Sequence, residues 1–123
     1  MNKNILVTGA AGQLGSELNY LSEKIIAQAR LFNFIFVTRK ELDIQDGQKV
    51  AEFCAVNKVD VIVNCAAYTA VDKAEQECEE ADAINHIAVK NLAKVSKELN
   101  ISLVHVSTDY VFDGTNHKPY IET

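Results

Sequence analysis

The residues best placed to do chemistry lie near the amino terminus, in Gly9-Ala10-Ala11-Gly12-Gln13-Leu14-Gly15. They directly follow the apolar run Ile5-Leu6-Val7 and directly precede a segment of helical period. A strand that turns through glycines into a helix makes a seat for phosphate. The glycines turn the backbone tightly and let a ligand approach without meeting a Cβ. The helix start offers unpaired N–H groups and the positive end of its dipole. The segment is therefore expected to bind a dinucleotide pyrophosphate. Its spacing is G-x-x-G-x-x-G rather than the simplest G-x-G-x-x-G, so the subtype differs. For three glycines taken alone, a plain structural turn is the alternative.

Three further groups follow strand-like runs. Arg39 and Lys40 come just after the second run, where dinucleotide folds face the adenosine ribose. A basic residue there accommodates a 2′-phosphate and an acidic one bonds the ribose hydroxyls, so Arg39 favours NADP; a solvated loop charge is the alternative. Asp43 and Ile44 follow, suited to adenine by hydrogen bond and apolar contact. Asn64-Cys65-Ala66-Ala67-Tyr68 closes the third run, with small residues suited either to a crossing cofactor or to a tight turn. Ser107-Thr108-Asp109-Tyr110 closes the fourth. A hydroxyl there can hold a substrate carbonyl and Asp109 can accept from a sugar hydroxyl, although Thr108 can equally bond its own backbone. His105, between Val104 and Val106, reads as a core or sheet-face histidine rather than a catalytic one. The acidic stretch Asp72–Asp82 reads as a solvated helical face.

The elements that must position these groups alternate. Asn4–Thr8, Phe34–Thr38, Asp60–Cys65 and Leu103–Ser107 are short and nearly continuously apolar, as strands of a parallel sheet covered on both faces are. A first helix carries Leu14, Leu18, Leu21 and Ile25 as one apolar stripe. A second is capped by Asp46 and carries Val50, Phe53 and Cys54. A third is expected to begin near Thr69, with Asp72 three residues on as in a capping box. The next repeats Ile84, Ala88, Leu92, Val95 and Leu99 and stops at Asn100. The order predicts an α/β fold with a doubly wound parallel sheet. Thr38 to Asp46 is too short for a crossover helix, so the sheet is reduced, with strands in the order second, first, third, fourth. Ligands in such sheets sit where the winding reverses, beyond the strand ends, between the loops Gly9–Gly15 and Ala66–Thr69.

The chain has 123 residues, 48% hydrophobic and 24% charged, which suits one soluble domain with a core of its own. The net charge of −5 disfavours nucleic acid, since no basic stripe exists to neutralise a phosphate backbone. No apolar run approaches the ~20 residues that span a bilayer, and no signal peptide is visible. Cys54, Cys65 and Cys78 read as reduced, buried small residues of a cytoplasmic protein. They do not cluster with the histidines, so no metal site is expected. The tail Asp113–Thr123 reads as loop.

On these residues the chain resembles the extended short-chain dehydrogenase/reductases, and among them the family of dTDP-4-dehydrorhamnose reductases. The matching pieces are Val7 to Gly15, Glu41-Leu42-Asp43-Ile44, Val63 to Glu75 and His105 to Gly114. The third and fourth are long and specific, and together the pieces span essentially the whole chain. The resemblance implies NADP(H) or NAD(H) reducing the C4 ketone of dTDP-4-dehydro-L-rhamnose. It implies Gly12, Gln13 and Leu14 at the pyrophosphate, within the turn from Gly9 to Gly15. It also implies Asp43 and Ile44 near adenine, Ala66, Ala67 and Tyr68 along the cofactor, Thr108 as the hydroxyl of a Thr-Tyr-Lys triad, and Asp109 on substrate.

In that family the acid is a tyrosine in Tyr-x-x-x-Lys, its pKa lowered by the lysine. No tyrosine here is expected to supply that motif, which would fall beyond Thr123 together with the sugar-nucleotide domain. Residues 1–123 are thus expected to be an incomplete dinucleotide-binding domain that ends after the fourth main strand and binds cofactor without reducing sugar. A homodimer stays open. The rival readings are a non-catalytic dinucleotide-binding module, resembling the regulatory subunit of methionine adenosyltransferase, and a reductase or epimerase of another nucleotide sugar.

Overall fold

The computed structural model describes residues 3–29, 31–66 and 86–106. Strands β1 (Lys3–Thr8), β2 (Phe32–Val37), β3 (Val61–Asn64) and β4 (Ser102–His105) form a parallel sheet in the order β2-β1-β3-β4. This is the reduced, doubly wound order expected from the sequence. Leu6 sits between Ile35 and Ile62 in register, and Ile62 pairs with Leu103.

These residues share one face, since side chains alternate along a strand. There they pack with Val50 and Cys54 of helix α2 (Gly47–Val56) and with Ala88, Leu92 and Val95 of helix α3 (Ala88–Glu98). Leu6, Val50, Ile62 and Leu92 are wholly buried, so each contributes ~1.5–3 kcal/mol by taking its side chain out of water. Ile5 and Val7 point to the other face and are buried as well.

Helix α1 (Gln13–Ala29) packs on β2, but by only part of the predicted stripe. Leu14 and Leu21 are 41% and 45% exposed, whereas Gly15 is buried and Ser22 is 3% exposed. The side chain of Ile25 lies outside the described residues, and the inward face therefore runs through Gly15, the half-buried Leu18 and Ser22. Gly15 is the reason: a Cβ there would run into the carbonyl of Gly9 and lie 2.9 Å from Ala10 Cα, so the first helical turn rests directly on the preceding loop. Strand β2 also begins two residues earlier than its pattern suggested, and its alternate rings Phe32, Phe34 and Phe36 form a ladder with centroids 6.2 and 5.9 Å apart. The expected helix start at Thr69 and the tail from Asp113 lie outside the described residues, as does Cys78.

Helix α2 starts, and helix α3 stops, by local rules that the sequence carried. Asp46 caps α2 by accepting from the N–H of Lys49. Both helices end at a left-handed residue followed by an N–H that reaches back into the last turn. Lys58 (φ 50°) and Asn100 (φ 56°) adopt the left-handed conformation. The N–H groups of Val59 and Ile101 then turn back to the carbonyls of Cys54 and Ser96, at 3.0 and 2.8 Å. Val59 and Ile101 are buried, and each leads into the next strand, so the stops fix where β3 and β4 enter the sheet.

Asparagine tolerates the left-handed region, whereas lysine has no side-chain reason to occupy it. Lys58→Gly is expected to raise stability by about 0.5–1 kcal/mol, the relieved strain exceeding the added unfolded-state freedom. Urea unfolding checks this; a lower midpoint in the variant would contradict the assignment.

Candidate functional site

A cavity of about 210 Å³ opens beyond the carboxyl ends of β1, β2 and β3. Three loops line it, each continuing a strand. The first follows β1. Gly9 has φ +71°, and a Cβ there would lie 2.5 Å from the backbone nitrogen of Ala66 and 2.6 Å from the carbonyl carbon of Cys65. The glycine is thus required twice, by conformation and by the close passage of another main chain. The N–H of Ala10 is tied to Val37 at 3.1 Å and that of Gly12 to Gly9 at 3.0 Å. The N–H groups of Gln13 and Leu14 begin the helix and have no upstream helical partner, which makes them the donors an anion would meet.

The second loop follows β2 and leads into α2. Thr38 donates to Glu41 Oε1 through both its N–H (3.2 Å) and its hydroxyl (3.0 Å). The N–H groups of Glu41 and Leu42 return to the Thr38 carbonyl. This closed turn presents Arg39 and Lys40 at its exposed tip, with Arg39 against the cavity. Leu42 and Ile44 are buried anchors. Asp43 Oδ1 accepts from the N–H of Gln45 at 3.0 Å, so this carboxylate already shapes the loop, and Asp43 and Ile44 both line the cavity.

The third loop follows β3. Asn64 is fully buried, and Thr8 is 1% exposed. The Thr8 hydroxyl donates to Asn64 Oδ1 at 2.6 Å and the Ala66 N–H donates to the same oxygen at 3.2 Å. Two donors on Oδ1 leave the amide nitrogen facing His105 Nδ1, 3.1 Å away, so that ring nitrogen accepts. Thr8, Asn64 and His105 stand in register on adjacent strands. Together they pin the strand ends from which the cavity loops leave. His105 is the sheet-face residue expected; Thr8 and Asn64 were missed. Their signal was available, as polar residues at the carboxyl ends of otherwise apolar strands.

Of the residues singled out from sequence, Gly9, Gly12, Arg39, Asp43, Ile44 and Ala66 line the one cavity. Gln13, Leu14 and Gly15 form the adjoining first turn of α1. Ala67, Tyr68, Thr108 and Asp109 lie outside the described residues. Cys65 borders the cavity half-buried, and Cys54 is in the core. Burial raises both thiols, Cys54 to about 11, so both stay protonated at neutral pH.

One expectation needs correction. Tyr20 does have Lys24 four residues later. The pair is a local helix contact, with the Lys24 ammonium 4.5 Å from the ring centroid and Tyr20 56% exposed. Tyr20 stands about 10 Å along α1 from its start, and it does not line the cavity. Among the described residues no acid, histidine and cysteine cluster suited to a metal occurs, and no helix is long and apolar enough to cross a membrane.

Residues 2–123 match the family described as RmlD substrate binding domain. A dTDP-4-dehydrorhamnose reductase of Burkholderia thailandensis is 45% identical over 119 residues, which are 97% of this chain and 38% of that protein. A dTDP-4-keto-6-deoxy-D-glucose reductase of Streptomyces niveus is 40% identical over 127 residues, covering 100% of this chain and 41% of that one. The crystal structure of a dTDP-4-dehydrorhamnose reductase from Bacillus anthracis, in complex with NADP, superposes with a TM-score of 0.82. It is 36% identical and matches 95% of this chain and 40% of its own. The chain thus spans about two fifths of the length of these relatives.

The two glycines of the first loop should separate in mutagenesis. Gly9→Ala should cost at least about 2 kcal/mol of stability, since neither the backbone conformation nor the facing backbone can yield. Gly12→Ala, whose Cβ would meet only the Gly9 carbonyl at 3.3 Å, should stay within about 1 kcal/mol of wild type. Thermal unfolding of both variants checks this; equal losses would contradict the geometry described.

Proposed function

The chain belongs to the RmlD substrate binding domain family, and we propose that it forms the NADP(H)-binding part of a cytoplasmic reductase that converts dTDP-4-dehydro-L-rhamnose to dTDP-L-rhamnose. Residues 1–123 are read as a single, incomplete dinucleotide-binding domain. The observation that carries the reading is the meeting, in one cavity, of the glycine loop, the Arg39 turn and the Asn64–Ala66 strand end. The donor set fits the cofactor: first-turn N–H groups for pyrophosphate, Arg39 and Lys40 for a 2′-phosphate, and apolar Ile44 beside the Asp43 carboxylate for adenine.

In this reading Gly12, Gln13 and Leu14 hold the pyrophosphate, while Gly9 and Gly15 let the loop pack closely enough to present them. Ala66 leaves room where the cofactor crosses the end of β3, and Ala67 and Tyr68 continue that path. The bound nicotinamide supplies a hydride to C4 of the sugar ketone. Thr108 hydrogen-bonds the C4 oxygen and orients it, and Asp109 accepts from a sugar hydroxyl. An alcohol is a poor acid at neutral pH, so Thr108 orients the ketone while another group gives the proton.

A second reading keeps the cofactor site and changes the sugar. The Streptomyces niveus relative is a reductase of dTDP-4-keto-6-deoxy-D-glucose, and the matched region lies on the cofactor side of the chemistry. The regulatory-subunit reading keeps the same cavity without turnover.

Calorimetric titration with NADPH and NADH tests the reading. Wild type is expected to bind NADPH more tightly. Arg39→Ala should weaken NADPH about tenfold or more, as for loss of a charge-assisted hydrogen bond, and leave NADH nearly unchanged. Lys40 shares the phosphate, so the preference is expected to shrink rather than invert. Equal affinity of wild type for the two cofactors would remove Arg39 from this role.

A further inference from the structure

The loop from Thr38 to Asp46 has no ladder partner, yet it forms a whole wall of the cavity. Its turn at Thr38–Glu41 is self-contained, and Leu42 and Ile44 anchor it by burial. Its far end is held from elsewhere. The side-chain amide of Asn91, on α3, donates to two successive carbonyls of the loop, Ile44 at 3.3 Å and Gln45 at 2.9 Å. Gln45 is thereby fixed at both groups, its N–H on Asp43 Oδ1 and its carbonyl on Asn91. Ile44 and Gln45 line the cavity, whereas Asn91 does not.

We propose that Asn91 is a positioning residue for the adenosine half of the dinucleotide, holding from α3 the segment Ile44–Gln45 against which the adenine rests. The inference builds on the cofactor site proposed above. An asparagine amide has two hydrogens on one nitrogen, so one side chain can serve both carbonyls. Without it, two partly buried carbonyls lose their partner and the wall is anchored by its apolar residues alone. Ligand binding must then order the segment, and that cost falls on whichever part of the ligand touches it.

The test is a set of affinities measured on the intact protein with NADPH, with 2′,5′-ADP as the adenosine half, and with NMNH as the nicotinamide half. Asn91→Leu keeps the branched outline and removes both donors. It is expected to weaken NADPH and 2′,5′-ADP by the same factor, about fivefold to thirtyfold, and to leave NMNH unchanged. Asn91→Ala also removes both donors without adding volume and should weaken the same two ligands, which preserves the test if the leucine variant does not fold. Equal weakening of both halves, or a lower Tm with unchanged affinities, would overturn the proposal and leave Asn91 a structural residue. If wild type bound neither NADPH nor 2′,5′-ADP, the cofactor reading itself would fail, whatever the variants did.

Discussion

A side chain at Gly9 would occupy space already filled by the backbone of Cys65 and Ala66, and this exclusion sets how closely the first and third cavity loops approach. Asn64, at the end of β3, takes the N–H of Ala66 from its own loop and the hydroxyl of Thr8 from β1 on one oxygen. The loop that turns into α1 and the loop that leaves β3 are thus held by one buried amide. The same crowding recurs one turn on, where Gly15 rests on the Gly9 carbonyl. With the first turn of α1 seated on the loop, its free N–H groups open beside the cavity.

The remaining wall is built differently. Between β2 and α2 a nine-residue path from Thr38 to Asp46 closes on its own side chains through Glu41 and Asp43. The turn holds Arg39 and Lys40 at its exposed tip, where a ligand phosphate would meet them. The same core that buries Leu42 and Ile44 contains Leu92 and Val95 of α3, so the wall and the helix that braces it rest on one apolar layer.

Much of this was legible in the sequence because it depends on local rules. The four apolar runs gave the strands, and the short interval after Thr38 gave the reduced order. Asp46 and Asn100 marked a helix start and a stop by side-chain chemistry that acts within a few residues. What failed was tertiary. Leu14 and Leu21 have helical spacing, but a periodicity cannot tell which face approaches the sheet when a glycine such as Gly15 permits tighter contact than a leucine. Thr8, Asn64 and Asn91 matter through partners far along the chain, which no local pattern encodes. The left-handed Lys58 had no signal in its residue type.

The central claim is that a dinucleotide lies across the ends of β1, β2 and β3 with its pyrophosphate on the start of α1. An NMR titration of backbone amides with NADPH tests it most directly. The account predicts the largest shifts at Gly12, Gln13 and Leu14, with further shifts at Arg39, Ile44 and Ala66. Shifts confined to the basic face of α3 around Lys90, Lys94 and Lys97, with the glycine loop unmoved, would contradict it.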